Sequence, residues 1–131
     1  MPTAVIAEDE ALLADVLREH LAEVWPDLSV VACAADGDAA LQAIRSLRPD
    51  VAFLDIRMPG LSGIEVARRL FEDPQVPAIV FVTAYDQYAL EAFDAAAVDY
   101  LLKPVSPERL SRCVQRVRQR LDQQPQALAL G

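Results

Sequence analysis

The fold is decided at residues 51–60, which read Val51-Ala52-Phe53-Leu54-Asp55-Ile56-Arg57-Met58-Pro59-Gly60. An apolar run leads directly into one carboxylate, that of Asp55, and Pro59-Gly60 then signals a turn. A short apolar run that ends near a turn is typical of a β-strand buried on both faces. We therefore expect a strand over Val51–Asp55, with the carboxylate at its exit.

The same kind of run recurs on both sides of this stretch, and amphipathic helical patterns separate the runs. The other predicted strands are Thr3–Ala7, Leu28–Ala34, Ala78–Thr83 and Val98–Leu102. The predicted helices run from Glu10 to Trp25, from Asp38 to Leu47, from Ser62 onward, from Gln87 to Ala95 and from Ser106 to Leu121. Ser62, which begins a Ser-x-x-Glu pattern, and Ser106, which precedes Pro107, are predicted to cap the third and fifth helices. Strand and helix thus alternate five times, which predicts right-handed crossovers and one doubly wound parallel sheet.

We therefore predict an α/β fold over residues 1–122, a flavodoxin-like (βα)5 sandwich of three layers with a five-stranded parallel sheet in the middle. Residues 123–131 are interpreted as a flexible tail or the start of a linker. Helical spacing predicts inward-facing side chains, which include Leu13 and Val16 in the first helix, Leu47 in the second, and Leu90 and Phe93 in the fourth. Cys33 and Cys113 lie in apolar patterns and are interpreted as small core residues in a reducing compartment.

The overall charge argues against one class of function. The 131 residues carry 20 acidic and 12 basic side chains, which gives a formal net charge of −8. A phosphate backbone would be repelled by such a chain, so we do not expect direct nucleic-acid binding by these residues. Neither a secretory segment after Met1 nor an apolar run long enough to span a membrane is evident, so a cytoplasmic protein without membrane contact is expected.

Polar groups follow four of the predicted strands at the point where each strand ends. Glu8 and Asp9 follow the first strand, Asp55 and Thr83 close the third and fourth, and Lys103 follows the fifth. Ligands of doubly wound sheets bind outside the carboxyl ends of the strands. Carboxylates gathered there would repel one another unless a cation neutralised them, and Mg²⁺ accepts such oxygen ligands. Thr83 could donate a hydrogen bond to phosphoryl oxygens, and Lys103 could offer them an ammonium charge.

Each of these groups also has a purely structural interpretation. Asp9 and Glu10 could stabilise the start of the first helix through its dipole. Asp55 could begin a turn, Thr83 could close a strand as a β-favouring residue, and Lys103 could be a surface charge. The joint placement of all of them at strand ends favours a site for a divalent metal and a phosphoryl group.

With these residues in place, the chain resembles the receiver domain of two-component response regulators over residues 2–121. The resemblance rests on an ordered set of motifs: Glu8-Asp9-Glu10, Leu54-Asp55-Ile56-Arg57-Met58-Pro59-Gly60 with Gly63, Thr83-Ala84, and Tyr100-Leu101-Leu102-Lys103-Pro104. Each motif is weak alone, but the ordered set is specific.

The resemblance implies a chemical role for the acidic residues. Asp55 would accept a phosphoryl group from the histidine of a sensor histidine kinase. Mg²⁺ would be bound by Asp9, by Asp55 and by the backbone carbonyl of Arg57. Glu8 would act on the metal through water, and it is a departure because many family members carry Asp at this position.

The resemblance also implies a conformational switch. Thr83 and Lys103 would bind the phosphoryl oxygens, and Tyr100 would turn inward as Thr83 moves toward the phosphate. The surface of the fourth helix, fifth strand and fifth helix would then change shape. We expect this surface to control phosphorylation-dependent homodimerisation or an output domain. The candidates for cross-interface ion pairs are Asp94, Asp99, Arg109, Arg112 and Arg116.

Within this family the chain most resembles receivers that precede LytTR-type DNA-binding domains, through Val82-Thr83-Ala84-Tyr85-Asp86-Gln87-Tyr88-Ala89 and Asp99-Tyr100-Leu101-Leu102-Lys103-Pro104. Such an output domain is not expected within these 131 residues. A receiver would be a signalling switch that catalyses only its own phosphorylation and dephosphorylation, and not an enzyme. Two other functions stay open. One is a metal-dependent aspartyl phosphatase, although Arg57 stands where such enzymes usually carry a second acid, and the other is a phosphorylation-independent interaction module.

Overall fold

The computed structural model describes residues 1–130, with side chains to residue 123, and within that range five strands alternate with five helices. The strands are β1 (Thr3–Ala7), β2 (Ser29–Ala34), β3 (Val51–Leu54), β4 (Ala78–Thr83) and β5 (Asp99–Leu102). The helices are α1 (Ala11–Val24), α2 (Gly37–Leu47), α3 (Gly63–Leu70), α4 (Ala89–Asp94) and α5 (Pro107–Leu130). The predicted fold class is confirmed, and every strand boundary lies within one residue of its prediction.

The five strands form one parallel sheet in the order β2-β1-β3-β4-β5. The strand order reverses between β1 and β3, because β2 lies on one side of β1 and β3 on the other. This is the point at which doubly wound sheets bind their ligands, outside the carboxyl ends of the strands. Ala7 pairs with Leu54 in the β1–β3 register, so the residues that follow these two are brought together at that edge.

The sheet has a hydrophobic core on each face. Successive side chains of a strand point to opposite faces, so Leu54 packs with α2, α3 and α4 on one side, and Phe53 packs with α1 and α5 on the other. Each is almost completely buried, which contributes about 1.5–3 kcal/mol per side chain. Every residue of β3 and β4 is buried, and this explains why these strands are continuous apolar runs in the sequence.

Side-chain caps fix the starts of three helices. Ser62 and Ser106 accept hydrogen bonds from the amides of Glu65 (3.2 Å) and Arg109 (3.1 Å), which confirms the predicted caps of α3 and α5. Asp36 accepts one from the Ala39 amide at 2.7 Å and caps α2. Each cap stabilises its helix by about 1 kcal/mol.

The expectation that Leu90 and Phe93 face the core is wrong. Both are more than 80% exposed. Helix α4 has only six residues, and it turns Ala92 toward the core, followed just after the helix by Ala95. Small residues let a helix approach the sheet closely, so the alanine face packs inward and the large side chains remain in solvent.

Three further inward predictions are also wrong, those for Leu13 and Val16 in α1 and for Leu47 at the end of α2, since all three side chains are exposed. Cys33 is exposed too, whereas Cys113 is buried as predicted. Cys33 lies in β2, at one edge of the sheet, where the exposed and covered positions alternate. An edge strand is covered less completely than a central one, and a short apolar run in the sequence does not show which of the two a strand will be.

The predicted domain boundary at residue 122 falls within α5, which extends to Leu130. The predicted tail from residue 123 onward lies almost entirely on residues whose side chains are outside the described part of the structure, and it stays a prediction. Among the residues that are described, no helix combines the length and apolar character needed to cross a membrane.

Candidate functional site

Three carboxylates converge where β1 and β3 end. Each of Glu8, Asp9 and Asp55 places an oxygen within 4.8 Å of an oxygen of the other two. The backbone fixes this arrangement beyond the strand ends, because the Asp55 amide donates to the Ala7 carbonyl at 2.9 Å and the Glu8 amide donates to the Ala34 carbonyl at 2.9 Å. Glu8 and Asp55 are buried and Asp9 is exposed, so the cluster opens to solvent on the Asp9 side.

Lys103 reaches the same cluster from the end of β5. Its amide donates to the Thr83 carbonyl at 2.9 Å, which holds the two strand ends together. Its ammonium donates to Asp55 Oδ2 at 2.8 Å and to Glu8 Oε1. Three carboxylates facing one ammonium leave a net charge of two negative units, which a divalent cation would balance.

Burial and pairing act against each other in this cluster. Burial raises the pKa of Glu8 above its ordinary value, although hydrogen bonds from Lys103 and from the Glu10 amide partly oppose the shift. Burial would lower the pKa of Lys103, but its hydrogen bonds to Asp55 and Glu8 outweigh burial and raise that pKa overall. The ammonium is therefore held in its charged form beside the acids.

The Asp55 carboxylate is fixed in orientation. Its Oδ1 accepts a hydrogen bond from the Ile56 amide at 2.6 Å, while Oδ2 accepts from Lys103. The first residue of α3, Gly63, lies so close that a β-carbon there would overlap the Asp55 carbonyl. The Gly63 amide also donates to the Ile56 carbonyl at 2.8 Å. The start of α3 thus packs directly against the end of β3.

The loop between β3 and α3 is held by the start of α2, a contact that the sequence did not predict. The Gly37 amide donates to the Pro59 carbonyl at 3.1 Å. A β-carbon at Gly37 would overlap the Leu61 carbonyl, so only glycine permits this close approach. The loop that contains the Arg57 carbonyl is therefore anchored at its far end.

Thr83 and Tyr100 lie beside this edge on β4 and β5. Thr83 is completely buried, and its hydroxyl accepts a hydrogen bond from the Tyr85 amide at 3.4 Å. Tyr100 is partly buried against Phe81, with ring centroids 6.4 Å apart, and its hydroxyl donates to the Tyr85 carbonyl. Burial raises the pKa of Tyr100, so the hydroxyl remains a donor at neutral pH.

The side chain of Arg57 joins two tyrosines of the β4–α4 loop. Its guanidinium lies 3.9 Å from the centroid of the Tyr85 ring and 5.7 Å from that of Tyr88, and its Nε donates to the Tyr88 hydroxyl at 3.1 Å. The hydrogen bond to Tyr88 raises the pKa of Arg57. The family resemblance gives a role only to the Arg57 backbone carbonyl, and nothing in the sequence spacing connects the Arg57 side chain to these tyrosines.

Three of the five candidate interface residues pair with one another within the chain. Asp99 accepts a two-pronged interaction from Arg109, at 2.9 and 2.6 Å, and lies 3.4 Å from Arg116. Burial alone would raise the pKa of Asp99, but the hydrogen bonds from Arg109 and the Tyr100 amide and the charges of both arginines together outweigh it, so the pKa is lowered overall. The other two candidates, Asp94 on α4 and Arg112 on α5, are exposed.

Comparison with known proteins identifies the class to which this fold and acidic edge belong. The family profile of the response regulator receiver domain matches residues 4–115. The chain therefore belongs to the response regulator receiver domain family, and it is a signalling domain of that class.

Individual relatives agree with this assignment. The chain is 57% identical over 119 residues to an uncharacterized response regulatory protein of Vibrio cholerae, covering 91% of this chain and 46% of that protein. It is 43% identical over 129 residues to the transcriptional regulatory protein BtsR of Salmonella typhi, covering 98% of this chain and 53% of BtsR. The chain thus spans about half the length of the curated relatives it matches. A solved structure, the response regulatory domain of protein mrkE from Klebsiella pneumoniae, is 31% identical and superposes with a TM-score of 0.86, covering 92% of this chain and 98% of that one.

Proposed function

We propose that this receiver is a phosphoacceptor, in which Asp55 accepts a phosphoryl group from a sensor histidine kinase in a reaction that requires Mg²⁺. The observation that carries this proposal is the convergence of three carboxylates and one ammonium at the reversal point of the sheet. Asp55 lies next to the other two carboxylates, those of Glu8 and Asp9, and it also pairs with Lys103. It is therefore the carboxylate that a metal ion and the ammonium would both contact.

The donor set suits Mg²⁺. Asp9, Asp55 and the Arg57 backbone carbonyl would hold the ion, and Glu8 would act through water. All of these are hard oxygen ligands, and the exposed side of Asp9 leaves room for the waters that Mg²⁺ retains. When bound, Mg²⁺ would neutralise charge on the phosphoryl oxygens.

The side chains can then carry out the transfer by positioning and charge. One Asp55 oxygen forms a bond to phosphorus while the bond between phosphorus and the kinase histidine nitrogen breaks, and the imidazole leaves with that electron pair. Lys103 offsets the negative charge of the phosphoryl oxygens with its ammonium. Thr83 then gains a hydrogen bond by donating its hydroxyl proton to a phosphoryl oxygen, since that hydroxyl acts only as an acceptor in its contact with the Tyr85 amide.

An apolar surface beside the site suits the kinase. Leu12, Leu13 and Val16 of α1 are all exposed, Leu12 by 79%. Leu13 also lines a narrow slot together with Glu8, Asp55 and Lys103. A kinase helix that covered these side chains would bring its histidine toward Asp55 while removing apolar area from water.

The proposed output is a change in the surface formed by α4, β5 and α5. Phosphorylation adds charge next to Thr83 and biases the position of Tyr100, which lies in β5. We propose that this surface then forms a homodimer or contacts an output domain. Leu90 and Phe93 would supply apolar contacts, and Asp94 and Arg112 remain available for ion pairs across the interface.

The relatives bear on the output domain. Each is about twice as long as this chain, and one is named a transcriptional regulatory protein. The Val82–Ala89 and Asp99–Pro104 motifs support a LytTR-type DNA-binding domain as the output, in a cytoplasmic regulator that acts as a switch and not as an enzyme.

Intact mass spectrometry tests the phosphoacceptor role. The chain is incubated with acetyl phosphate and Mg²⁺, with EDTA as the matched control. We expect one phosphoryl group to be added in the presence of Mg²⁺ and none in EDTA, and none on an Asp55→Asn variant whose circular dichroism matches that of the wild type. An unmodified wild-type chain would support the phosphorylation-independent interaction module instead. Turnover of added phosphoesters would support the aspartyl phosphatase.

A further inference from the structure

Three contacts meet at one residue of the β4–α4 loop, Tyr85. Its amide donates to the Thr83 hydroxyl, its carbonyl accepts from the Tyr100 hydroxyl, and its ring face lies 3.9 Å from the Arg57 guanidinium carbon. Thr83 and Tyr100 are the two parts of the proposed switch. Arg57 belongs to a different loop, the one whose backbone carbonyl is proposed to bind Mg²⁺.

The segment that contains Tyr85 is weakly supported by other packing. Tyr85 is itself exposed, as are the residues on either side of it. Helix α4, which follows, has only six residues and buries only Ala92. Segments with few buried apolar contacts open easily, so a contact that holds the Tyr85 ring has a large effect on where its carbonyl lies.

The Arg57 side chain is suited to provide that contact. The rings of Tyr85 and Tyr88 meet edge-on, with an interplanar angle of 82° and centroids 6.4 Å apart. The flat guanidinium stacks on the first ring and donates to the hydroxyl of the second. Arginine can do both at once because its charge is delocalised over a planar group that also carries several donors.

We propose that Arg57 is a positioning residue that couples the metal-binding loop to the aromatic switch: its side chain fixes Tyr85, and the Tyr85 carbonyl in turn fixes the Tyr100 hydroxyl. This inference rests on the proposed function, because it takes the Arg57 carbonyl as a metal ligand and Tyr100 as the moving aromatic residue. Occupation of the metal site and the position of Tyr100 in which its hydroxyl donates to the Tyr85 carbonyl would then stabilise each other, since Arg57 takes part in both.

A double-mutant cycle on ligand affinity tests the coupling. The ligand is beryllofluoride, a phosphoryl mimic, in the presence of Mg²⁺, and its binding is followed by the ¹⁹F NMR signal of the bound form. Tyr100→Phe keeps the ring against Phe81 and removes only the hydroxyl. Arg57→Ala removes the stacking contact. We expect each variant alone to weaken beryllofluoride binding about two- to fivefold, as loss of one exposed cation–π contact or hydrogen bond would. The double variant should bind beryllofluoride no more weakly than the single variant with the lower affinity, because both substitutions break the same chain of contacts.

Arg68→Ala is the matched control for charge. Arg68 lines the same cleft as Arg57 and Tyr88, but it approaches Glu91, with 4.0 Å between the charged atoms. Its removal deletes the same positive charge on the same face, so its effect should simply add to that of Tyr100→Phe. Tyr88→Phe, which removes only the acceptor of the Arg57 hydrogen bond, should reproduce a milder form of the Arg57→Ala effect, and urea unfolding of each variant verifies that the fold is retained.

The outcomes distinguish a failure of the coupling between Arg57 and Tyr100 from a failure of the proposed phosphoacceptor function. Additive effects of Arg57→Ala and Tyr100→Phe would overturn the coupling, as would an Arg68→Ala variant that couples to Tyr100→Phe equally strongly. Absence of a bound beryllofluoride signal in the wild type would refute the proposed function, and with it the inference that rests on it. Binding in the wild type with a non-additive cycle supports both.

Discussion

Replacing Lys103 by methionine should move metal binding and phosphorylation in opposite directions. The Lys103 ammonium lies 2.8 Å from Asp55 Oδ2 and also contacts Glu8, so it neutralises the same oxygens that Mg²⁺ would bind. Methionine fills a similar volume without charge. In the variant the carboxylates lose their internal counter-charge, and Mg²⁺ no longer meets a competing cation.

The size of the effect follows from the geometry. The cluster oxygens lie within 4.8 Å of one another, so the ammonium would sit roughly 4–6 Å from an ion bound among them. Charges at that separation interact by about 1 kcal/mol per unit pair in water and about 4 kcal/mol at an effective dielectric constant near 20. The site opens to solvent at Asp9, so we expect a gain of about 1–2 kcal/mol, or Mg²⁺ binding about tenfold tighter. Phosphorylation by acetyl phosphate should slow at least about 100-fold, because a group that offsets charge on the phosphoryl oxygens is lost.

The stability of the metal-free protein provides a second readout. The Lys103 side chain is only 19% exposed, so its removal leaves the buried Glu8 and Asp55 carboxylates without their counter-charge, although each keeps a hydrogen bond from a backbone amide. We expect a loss of about 2–3 kcal/mol in the free energy of unfolding, which corresponds to a drop of about 10 °C in Tm at this size. Mg²⁺ at about 100 times the Kd of the variant contributes about 2.7 kcal/mol to the variant. The same concentration contributes about 1.4 kcal/mol to the wild type, whose Kd would be about tenfold higher, so Mg²⁺ should close about half of the gap.

Calorimetric titration of Mg²⁺, thermal melts with and without Mg²⁺, and phosphorylation rates by intact mass measure the three effects. Lys103→Arg is the control, because it retains the charge and should leave Mg²⁺ affinity near the wild-type value. The reasoning is refuted if Lys103→Met binds Mg²⁺ more weakly than the wild type. That result would mean that the ammonium assembles the carboxylates for the metal and does not compete with it.

Three further predictions concern stability, assembly and thiol chemistry. Asp99→Asn should lower the free energy of unfolding by about 2 kcal/mol at neutral pH, because a two-pronged charged interaction is lost. Folding lowers the pKa of Asp99, so this loss of unfolding free energy should persist at all pH values above the unfolded pKa near 3.8 and shrink only as the pH falls through the lower folded pKa. Urea unfolding measures the difference between variant and wild type, and a difference that has vanished by about pH 5 would contradict this prediction. Leu90→Glu combined with Phe93→Glu should abolish phosphorylation-dependent dimerisation in sedimentation experiments while changing the free energy of unfolding by less than about 1 kcal/mol, and a dimer that persists would exclude this face. Cys33 should be alkylated in the native protein at neutral pH and Cys113 should not, because burial raises the pKa of the Cys113 thiol to about 12; two labels on the folded chain, counted by intact mass, would disprove the assignment.

The ends of the strands could be predicted because two independent signals agree there. Apolar runs fix the central strands, and a parallel sheet brings their carboxyl ends to one edge. The positions of Glu8, Asp55 and Lys103 in the chain therefore determine that they share an edge, whatever the details of packing. The helix caps at Ser62 and Ser106 could be predicted for a similar reason, since a cap depends on a few consecutive residues.

Contacts between loops could not be predicted in the same way. Arg57 and Tyr85 belong to loops that follow different strands, and no periodicity relates them. Only the completed sheet places the loop after β3 beside the loop after β4. The pairing of Asp99 with Arg109 is of the same kind, because a strand residue meets a helix residue across a turn that the pattern does not describe.

Two findings on the α4–β5–α5 surface have a common consequence. Among the charges proposed for the interface, Asp99 already pairs with Arg109 within the chain. Side chains expected in the core are outside it, since Leu90 and Phe93 are exposed. Burying such a side chain contributes about 1.5–3 kcal/mol, whereas an ion pair between exposed groups contributes about 0–1 kcal/mol. An assembly on this surface would therefore be stabilised mainly by the apolar residues of α4, and the charges would chiefly set its orientation. The short helix that does not bury its large side chains is thus the part of the fold best suited to respond when Tyr100 and Tyr85 move.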